Sequence, residues 1–408
     1  MTALPESLRA QWMRLIILTA AHFVLDMFPG MMHTILPAVQ QSFGLSVTAG
    51  GVLLTVFLVG ANGIQVLIGH VRENEERPLL LYVGFALTCT ILLFGVVSPQ
   101  VVPLLWLSVI ALISGAGVGM THPESLRAVH RLDGISSSVS SAVFMGGGVL
   151  GFAFGSVAST HLHARFGFAG LVPFCAAAVV LLVVLLLAGI RLAVERDETE
   201  RQARRRQHGH QQHVPFRVVM AISILIICSV QILLWIVPQH ISAIGADLTR
   251  GGQAVSLFTL TGGIGGMALA RFAARRGELR LIIVMLAVSI PFVLGYVVLL
   301  RHSISVVLLS AGGFFGFGAY PIMVSMARHS TGPNLGQRMG LIVGGIWLFA
   351  CVLPMVLGPV AEYLGTGFVI LLTPAGFVLA LLLAVATAIQ LKKQPERQPQ
   401  SSDEDEHD

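Results

Sequence analysis

Residues 13–39 read MRLIILTAAHFVLDMFPGMMHTILPAV, an apolar run long enough to cross the roughly 30 Å hydrocarbon core of a bilayer as one helix. Inside it sits a single carboxylate, Asp26, with His22 one turn before it and His33 two turns after it. At about 100° per residue, His22, Asp26, His33 and Gln40 fall within about 40° of one another, so they form one polar stripe on an apolar helix. Ionisable groups at membrane depth are costly and mark paths for ions or substrate. The other reading of Asp26 is a structural carboxylate hydrogen-bonded to a neighbouring helix.

The rest of the chain is equally apolar. With 55% hydrophobic and 11% charged residues over 408 positions, and a mean hydropathy of +0.83, a water-soluble globule would expose large apolar surface. The composition therefore specifies an all-α integral membrane protein, since lipid leaves backbone polar groups no outside partner. Twelve spans are laid out near 13–39, 47–71, 78–97, 101–123, 136–158, 168–190, 216–243, 251–273, 279–300, 303–327, 339–362 and 367–390. The first is too long for a signal-peptide core and has no small-residue cleavage site after it, so it is expected to stay in the mature protein. Cys89, Cys175, Cys228 and Cys351 fall in four different spans, a pattern of free thiols rather than of disulfides or a zinc site. The net charge of +5 does not indicate nucleic acid, because the basic residues sit in loops. Of the 25 Lys and Arg, all but Arg165, Arg250 and Arg301 fall on the side of the N-terminus, which makes both termini and the central loop cytoplasmic. A monomer in a bacterial-type inner membrane is the expected setting.

An internal duplication organises the spans. A shift of 201 positions aligns Pro37 with Pro238, Gly44 with Gly245, Thr48 with Thr249, Gly50 and Gly51 with Gly251 and Gly252, and Phe57 with Phe258. A shift of 198 aligns Gly115 with Gly313, Pro123 with Pro321, Gly134 with Gly332, Gly146 and Gly147 with Gly344 and Gly345, and Gly167 with Gly365. Two parallel six-helix halves follow, residues 1–192 and 216–391, joined by a cytoplasmic linker at 193–215 and trailed by an acidic, disordered tail at 392–408. The linker holds Arg204, Arg205 and Arg206 and the run His208, His210, His213. It reads as a solvated connector, with metal sensing by the histidines as the alternative.

This layout resembles the major facilitator superfamily, and the resemblance implies alternating access around a midplane site between the halves. The superfamily's loop signature after the second span is matched by Gly69, Glu73 and Arg77, with Glu in place of the usual Asp and Glu76 in place of a glycine. After the eighth span Arg271, Arg275 and Arg276 remain, but Ala270 stands where the acid would be. By the family's logic Glu73 and Arg77 help latch the cytoplasmic side; ordinary positive-inside charge is the alternative. Within the superfamily, residues 20–155 are similar to the fosmidomycin-resistance type of exporter. The stretch Gly117-Val-Gly119-Met-Thr-His122-Pro123-Glu124-Ser-Leu-Arg127 carries this likeness, with Thr121 replacing the family's Phe. In the first span His22 and Asp26 match, while Leu25 replaces an Asn.

That resemblance makes Asp26 the expected proton site, able to carry a proton and release it when the cavity opens to the other side, with His22 and His33 to relay or pair with it. Glu124 is the second candidate, with Arg127 at i+3 and Arg131 at i+7. It is either a helix-end ion pair or a protonation and gating site that exchanges partners among Arg127, Arg131 and the loop after the second span. Pro123 should end or bend the helix nearby. The stretch Gly146 to Gly151 satisfies a dinucleotide-binding pattern, but it lies in a membrane span without a preceding strand. Gly147, Gly151 and Gly155 instead form a seam for close helix approach, in a span that packs across the half-to-half interface in this superfamily.

Under the 201 shift, the counterparts of His22, Asp26 and His33 are Ser223, Ile227 and Leu234, so the ionisable groups belong to the first half. Candidate substrate contacts are Gln40, Asn62 and Gln65 from that half, and Gln231, Trp235, Ser242, Tyr320 and Trp347 from the second. Aromatics and amides suit an uncharged or amphipathic organic solute, and Trp235 and Trp347 read alternatively as interface anchors. The reading is a proton-coupled exporter of small organic molecules without cofactor or metal. An importer of the same fold and a membrane sensor are its rivals, and no His-Glu-x-x-His or Gly-x-Ser-x-Gly motif points to an enzyme.

Overall fold

The computed structural model describes residues 7–71, 75–193, 214–333 and 335–393. Among them all regular structure is helical. The chain runs through α1 (Leu8–Phe43), α2 (Val47–Val71), α3 (Leu79–Thr88) continued by a tighter turn at Cys89–Val96, α4 (Pro103–His130), α5 (Ser137–Phe166) and α6 (Val172–Leu187). It resumes as α7 (Phe216–Ala243), α8 (Leu248–Arg276), α9 (Glu278–Val298), α10 (Ile304–Gly316), α11 (Ala319–His329), α12 (Leu335–Gly340), α13 (Ile346–Ala350), α14 (Leu353–Leu364) and α15 (Thr366–Lys393). The linker histidines and arginines, the acidic tail and Glu73 lie outside the described residues.

Among the described residues eleven stretches are long and apolar enough to cross a membrane, where the sequence lays out twelve. The difference lies at Val139–Leu187, one run of 49 residues. A run of that length is about twice what a hydrocarbon core requires, and it is broken at Gly167, whose φ of 57° ends α5 before the chain turns into α6. Two other stretches are built from shorter helices. Ile304–His329 is interrupted at Phe317 and Gly318, and Gln337–Leu364 contains a π turn at Leu341–Gly345, the kind of irregularity that marks bends in long helices. Pro123 does not end α4, which continues to His130; inside a membrane bundle neighbouring groups satisfy the backbone that a proline frees.

Glycines aligned by the duplication occupy matched places. Gly44 and Gly245 close the loops after α1 and α7 with φ of 62° and 74°, and Gly167 and Gly365 have φ of 57° and 88°, a region that glycine enters without strain. A side chain on Gly115 would strike the carbonyl of Phe57, and one on Gly313 that of Phe258, two phenylalanines that the same duplication pairs.

Packing follows small residues. Gly147, Gly151 and Gly155 on α5 lie against the carbonyls of Thr19, Phe23 and Met27 on α1, so the seam binds α5 to α1, a helix from the same side of the linker in sequence. Helix α5 also packs on α8, and α2 packs on both α4 and α14. In lipid such close approach, rather than hydrophobic driving force, holds helices together. Phe28, Phe57, Phe144, Phe258 and Trp235 are fully buried, whereas Trp106, Val180, Leu187, Val298 and Leu382 face outward, as a multi-pass membrane protein requires. All four cysteines are free, with Cys175 and Cys351 buried.

Candidate functional site

Asp26 stands near the middle of α1 and is touched by two imidazoles. His22, one turn earlier, places Nε2 3.3 Å from Asp26 Oδ2. His122, from α4, places Nε2 2.9 Å from Asp26 Oδ1. The far nitrogen of each ring is fixed by a carbonyl: His22 Nδ1 lies 2.9 Å from Phe144 O, and His122 Nδ1 lies 2.9 Å from Val118 O. The His22 ring stacks on Phe144 at 4.1 Å and meets His122 edge-on at 5.1 Å. Room for the group comes from Gly148 on α5, where a Cβ would come within 2.5–2.6 Å of Asp26 Oδ2 and the His22 ring.

Hydrogen-bond chemistry then counts the protons. A carbonyl only accepts, so each Nδ1 carries a hydrogen, and both Nε2 atoms face the carboxylate. Each Nε2···Oδ contact needs one proton to be a hydrogen bond. With two protons the cluster has a net charge of +1; with one it is neutral; with none, nitrogen and oxygen lone pairs face each other. Among the described residues these three side chains are also a group with metal-donor atoms within 4.8 Å of one another, a donor set of the kind divalent transition metals take.

His33 does not join Asp26. Its Nδ1 donates to Pro29 O at 2.7 Å, and its Nε2 lies 3.1 Å from Gln231 Nε2, so the bond runs from α1 to α7. Gln40 donates to Ser46 O at 3.1 Å, capping the turn after α1. The polar stripe thus divides, with only its His22–Asp26 part meeting α4.

Glu124 is 1% exposed, and its Oε2 accepts from Leu81 N at 2.7 Å, tying α4 to α3. Arg127 donates to Ala193 O through Nε at 3.0 Å and through a terminal nitrogen at 2.7 Å, and also to Glu75 O at 2.7 Å. Arg131 donates to Leu192 O at 2.9 Å and stands 3.9 Å from Glu76. Arg191 is likewise 3.9 Å from Glu76. Glu76, read from the sequence as a departure from the motif, thus lies beside arginines from the end of α4 and from the chain entering the linker. Gly69 lies in the last turns of α2, and Arg77 lies in the loop, where its carbonyl accepts from Leu79 N at 2.9 Å.

Asn62 donates to its own helix at Leu58 O, at 3.0 Å, and Gln65 is half-buried one turn further on. Tyr320 and Trp347 meet edge to face at 5.9 Å, and Phe317 lies 6.3 Å from each of them. This is an aromatic box of α11, α13 and the α10–α11 junction. Trp235 is fully buried, which removes the interface-anchor reading for it. Sequence reasoning missed His122, Phe144, Gly148, Phe317 and Glu76 as parts of these clusters. His122 was visible in the motif around Pro123, but nothing in linear spacing set it beside Asp26.

A sequence model of the Major Facilitator Superfamily matches residues 18–301. The chain belongs to this superfamily. It is a membrane transporter and not an enzyme. Among curated proteins it is similar to the fosmidomycin resistance protein of Escherichia coli (strain K12), 24% identical over 168 residues, which span 41% of each chain. Solved structures share the fold. A bacterial homologue of the human lysosomal transporter Spinster, inward-facing and unoccupied, matches with a TM-score of 0.71 at 11% identity, covering 96% of this chain and 100% of the other. The nucleoside transporter NupG matches with a TM-score of 0.71 at 13% identity, covering 92% and 99%. A bacterial homologue of the iron transporter ferroportin, also inward-facing, matches with a TM-score of 0.68 at 12% identity, covering 94% and 100%.

Proposed function

We propose that this member of the superfamily is a proton-coupled exporter of small organic molecules that works by alternating access, and that His22, Asp26 and His122 form its proton site. The observation that carries the reading is the cluster itself: two imidazoles on one carboxylate inside a membrane bundle, with their outer nitrogens tied to carbonyls. Taking up one proton changes the charge at membrane depth by one, which biases any two conformations that hydrate the site differently. Export is favoured over import by the likeness to a resistance protein.

Twelve spans in two parallel halves, residues 1–192 and 216–391, are part of the proposal, with α5 and α6 as separate crossings on either side of Gly167. The matched glycines and the paired contacts Gly115–Phe57 and Gly313–Phe258 support it. Hydrogen-bonded and glycine contacts between these halves toward the ends away from the N-terminus include Thr48 N and Oγ1 donating to Glu362 at 3.1 and 2.5 Å, Thr55 donating to Cys351 O at 2.9 Å, and Gly252 lying against Ser156 and Thr160. With both termini cytoplasmic in an inner membrane, that arrangement corresponds to an inward-facing state.

In the cycle, the solute lies between the halves against Gln40, Asn62, Gln65, Gln231, Trp235, Tyr320 and Trp347. Glu124, by holding Leu81, carries the second protonation step between α4 and α3. Gly69, Glu73, Arg77, Arg127 and Arg131 control the cytoplasmic side, and the linker at 193–215 is a connector. The transporter works as a monomer.

Purified protein in liposomes with an imposed pH gradient tests this directly. Solute-dependent proton flux should appear in the wild type and be lost in Asp26→Asn. Flux that survives the substitution removes the proton assignment, and no flux with a broad solute panel removes the transport reading in favour of a sensor.

A further inference from the structure

Two donors on α7 are buried without an acceptor. Trp235 is 0% exposed and Gln239 is 4% exposed, yet neither Trp235 Nε1 nor Gln239 Nε2 has a hydrogen-bond partner among the described residues. At about 100° per residue, Gln231, Trp235 and Gln239 fall within about 80° of one another, one turn apart along a single face. Gln231 already reaches across to α1, where its amide nitrogen lies 3.1 Å from His33 Nε2. Since His33 Nδ1 donates to Pro29 O, His33 Nε2 is the acceptor of the neutral ring, and Gln231 is the donor. The face thus presents three donors in a row: the first spent on His33, the next two unspent.

Buried donors are paired in the great majority of cases, and an indole N–H has no second role, because it donates and does not accept. Two of them side by side, in a helix that packs on α15, α8, α1 and α13, call for an acceptor brought in from outside the chain.

We infer that the Trp235–Gln239 face of α7 is a binding site for a carbonyl-type oxygen, one that takes solutes bearing a neutral amide, ester or ketone group. The inference rests on the proposal that α7 lines the solute path, and it names the chemistry read there. A neutral oxygen is sufficient for this pair, because an indole N–H and an amide N–H are both neutral donors. A site of buried donors rejects an analogue lacking the acceptor more strongly than an apolar pocket does, because the donors stay unpaired. Solute and proton then occupy different places, Trp235–Gln239 on α7 and Asp26 between α1 and α4, so coupling between them passes through conformation rather than through competition for one carboxylate.

The indole N–H of Trp235 is its own reporter. Full-length protein carrying 15N-tryptophan in lipid nanodiscs gives four indole signals, from Trp12, Trp106, Trp235 and Trp347, and loss of one in Trp235→Phe assigns it. The probe is 2-butanone, and the control is 2-methyl-1-butene, of the same shape with a methylene in place of oxygen. A saturable downfield shift of the Trp235 signal with the ketone alone is expected, with an apparent Kd raised at least tenfold in Gln239→Leu. The other three signals, unchanged in Gln239→Leu, show that the variant is folded. An unmoved signal, an equal response to both probes, or a Trp235 N–H already bonded to an exchanging internal water in the wild type would overturn the site. None of these outcomes depends on proton flux, so the site and the proton assignment stand or fall separately.

Discussion

His122 on α4 and Asp26 on α1 are 96 positions apart in sequence, and their side chains meet at 2.9 Å inside the bundle. The contact gives a lone carboxylate a hydrogen-bonding partner from another helix, in the group proposed above as the proton site, and links the two helices that carry it. It also gives the chain's His-Pro-Glu stretch a physical task.

His122→Gln should therefore lower pH-gradient-driven solute flux by about tenfold or more, since a charge-assisted hydrogen bond is worth roughly 1.5–3 kcal/mol. His33→Gln, which removes a ring facing Gln231 instead, should leave proton coupling in place and alter solute dependence. Stopped-flow proton uptake in proteoliposomes separates the two; equal loss in both variants would mean that the polar stripe acts as one unit after all.

Gly148 and Gly146 stand two residues apart on α5 and differ sharply in surroundings. A Cβ at Gly148 would enter the Asp26–His22 group, whereas one at Gly146 meets nothing within 4 Å. Gly148→Ala is expected to abolish most coupled flux while the protein still inserts and folds, and Gly146→Ala to behave as wild type. Flux assays beside size-exclusion profiles check both.

Gly151 sets the distance between α5 and α1, where any side chain would strike the carbonyl of Phe23. Gly151→Ala should destabilise the protein by about 1–3 kcal/mol, the usual range for overpacking a tight contact. A fall in thermal unfolding temperature in detergent, absent in Gly146→Ala, is the expected reading.

Thr48 and Glu362 fasten α2 to α14 through two hydrogen bonds at the end away from the N-terminus. Glu362→Gln should loosen that end. Spin labels at Ser46 and Tyr363 would then report a longer distance, with the open population raised about two- to fivefold, a modest bias for one surface contact. An unchanged distance distribution would show that the glycine contacts at Gly51 and Gly358 hold the closure unaided.

Periodicity and composition make a membrane bundle legible because lipid imposes the same demand on every span: apolar side chains outward, backbone bonds inward. The duplication could be read for a similar reason, since several aligned glycines, Gly44 with Gly245 and Gly115 with Gly313 among them, mark a turn or a close approach in both repeats. Asp26 was legible because one charge in a long apolar run has few explanations. Its partners were not. Helical spacing set His22, His33 and Gln40 beside it, and three-dimensional packing kept His22, sent His33 to Gln231 and brought in His122.

What the sequence by itself determined was the solvent, the family and the one costly charge, all properties of single segments or of their repetition. The tertiary structure alone decided which imidazoles meet Asp26, why Gly148 must lack a side chain, that Glu76 lies beside Arg131 and Arg191, and that among the described residues two donors on α7 face no acceptor. Each of these is a contact between helices, fixed by how closely their backbones approach and how each is rotated about its axis, and neither quantity is written in the pattern of any one helix.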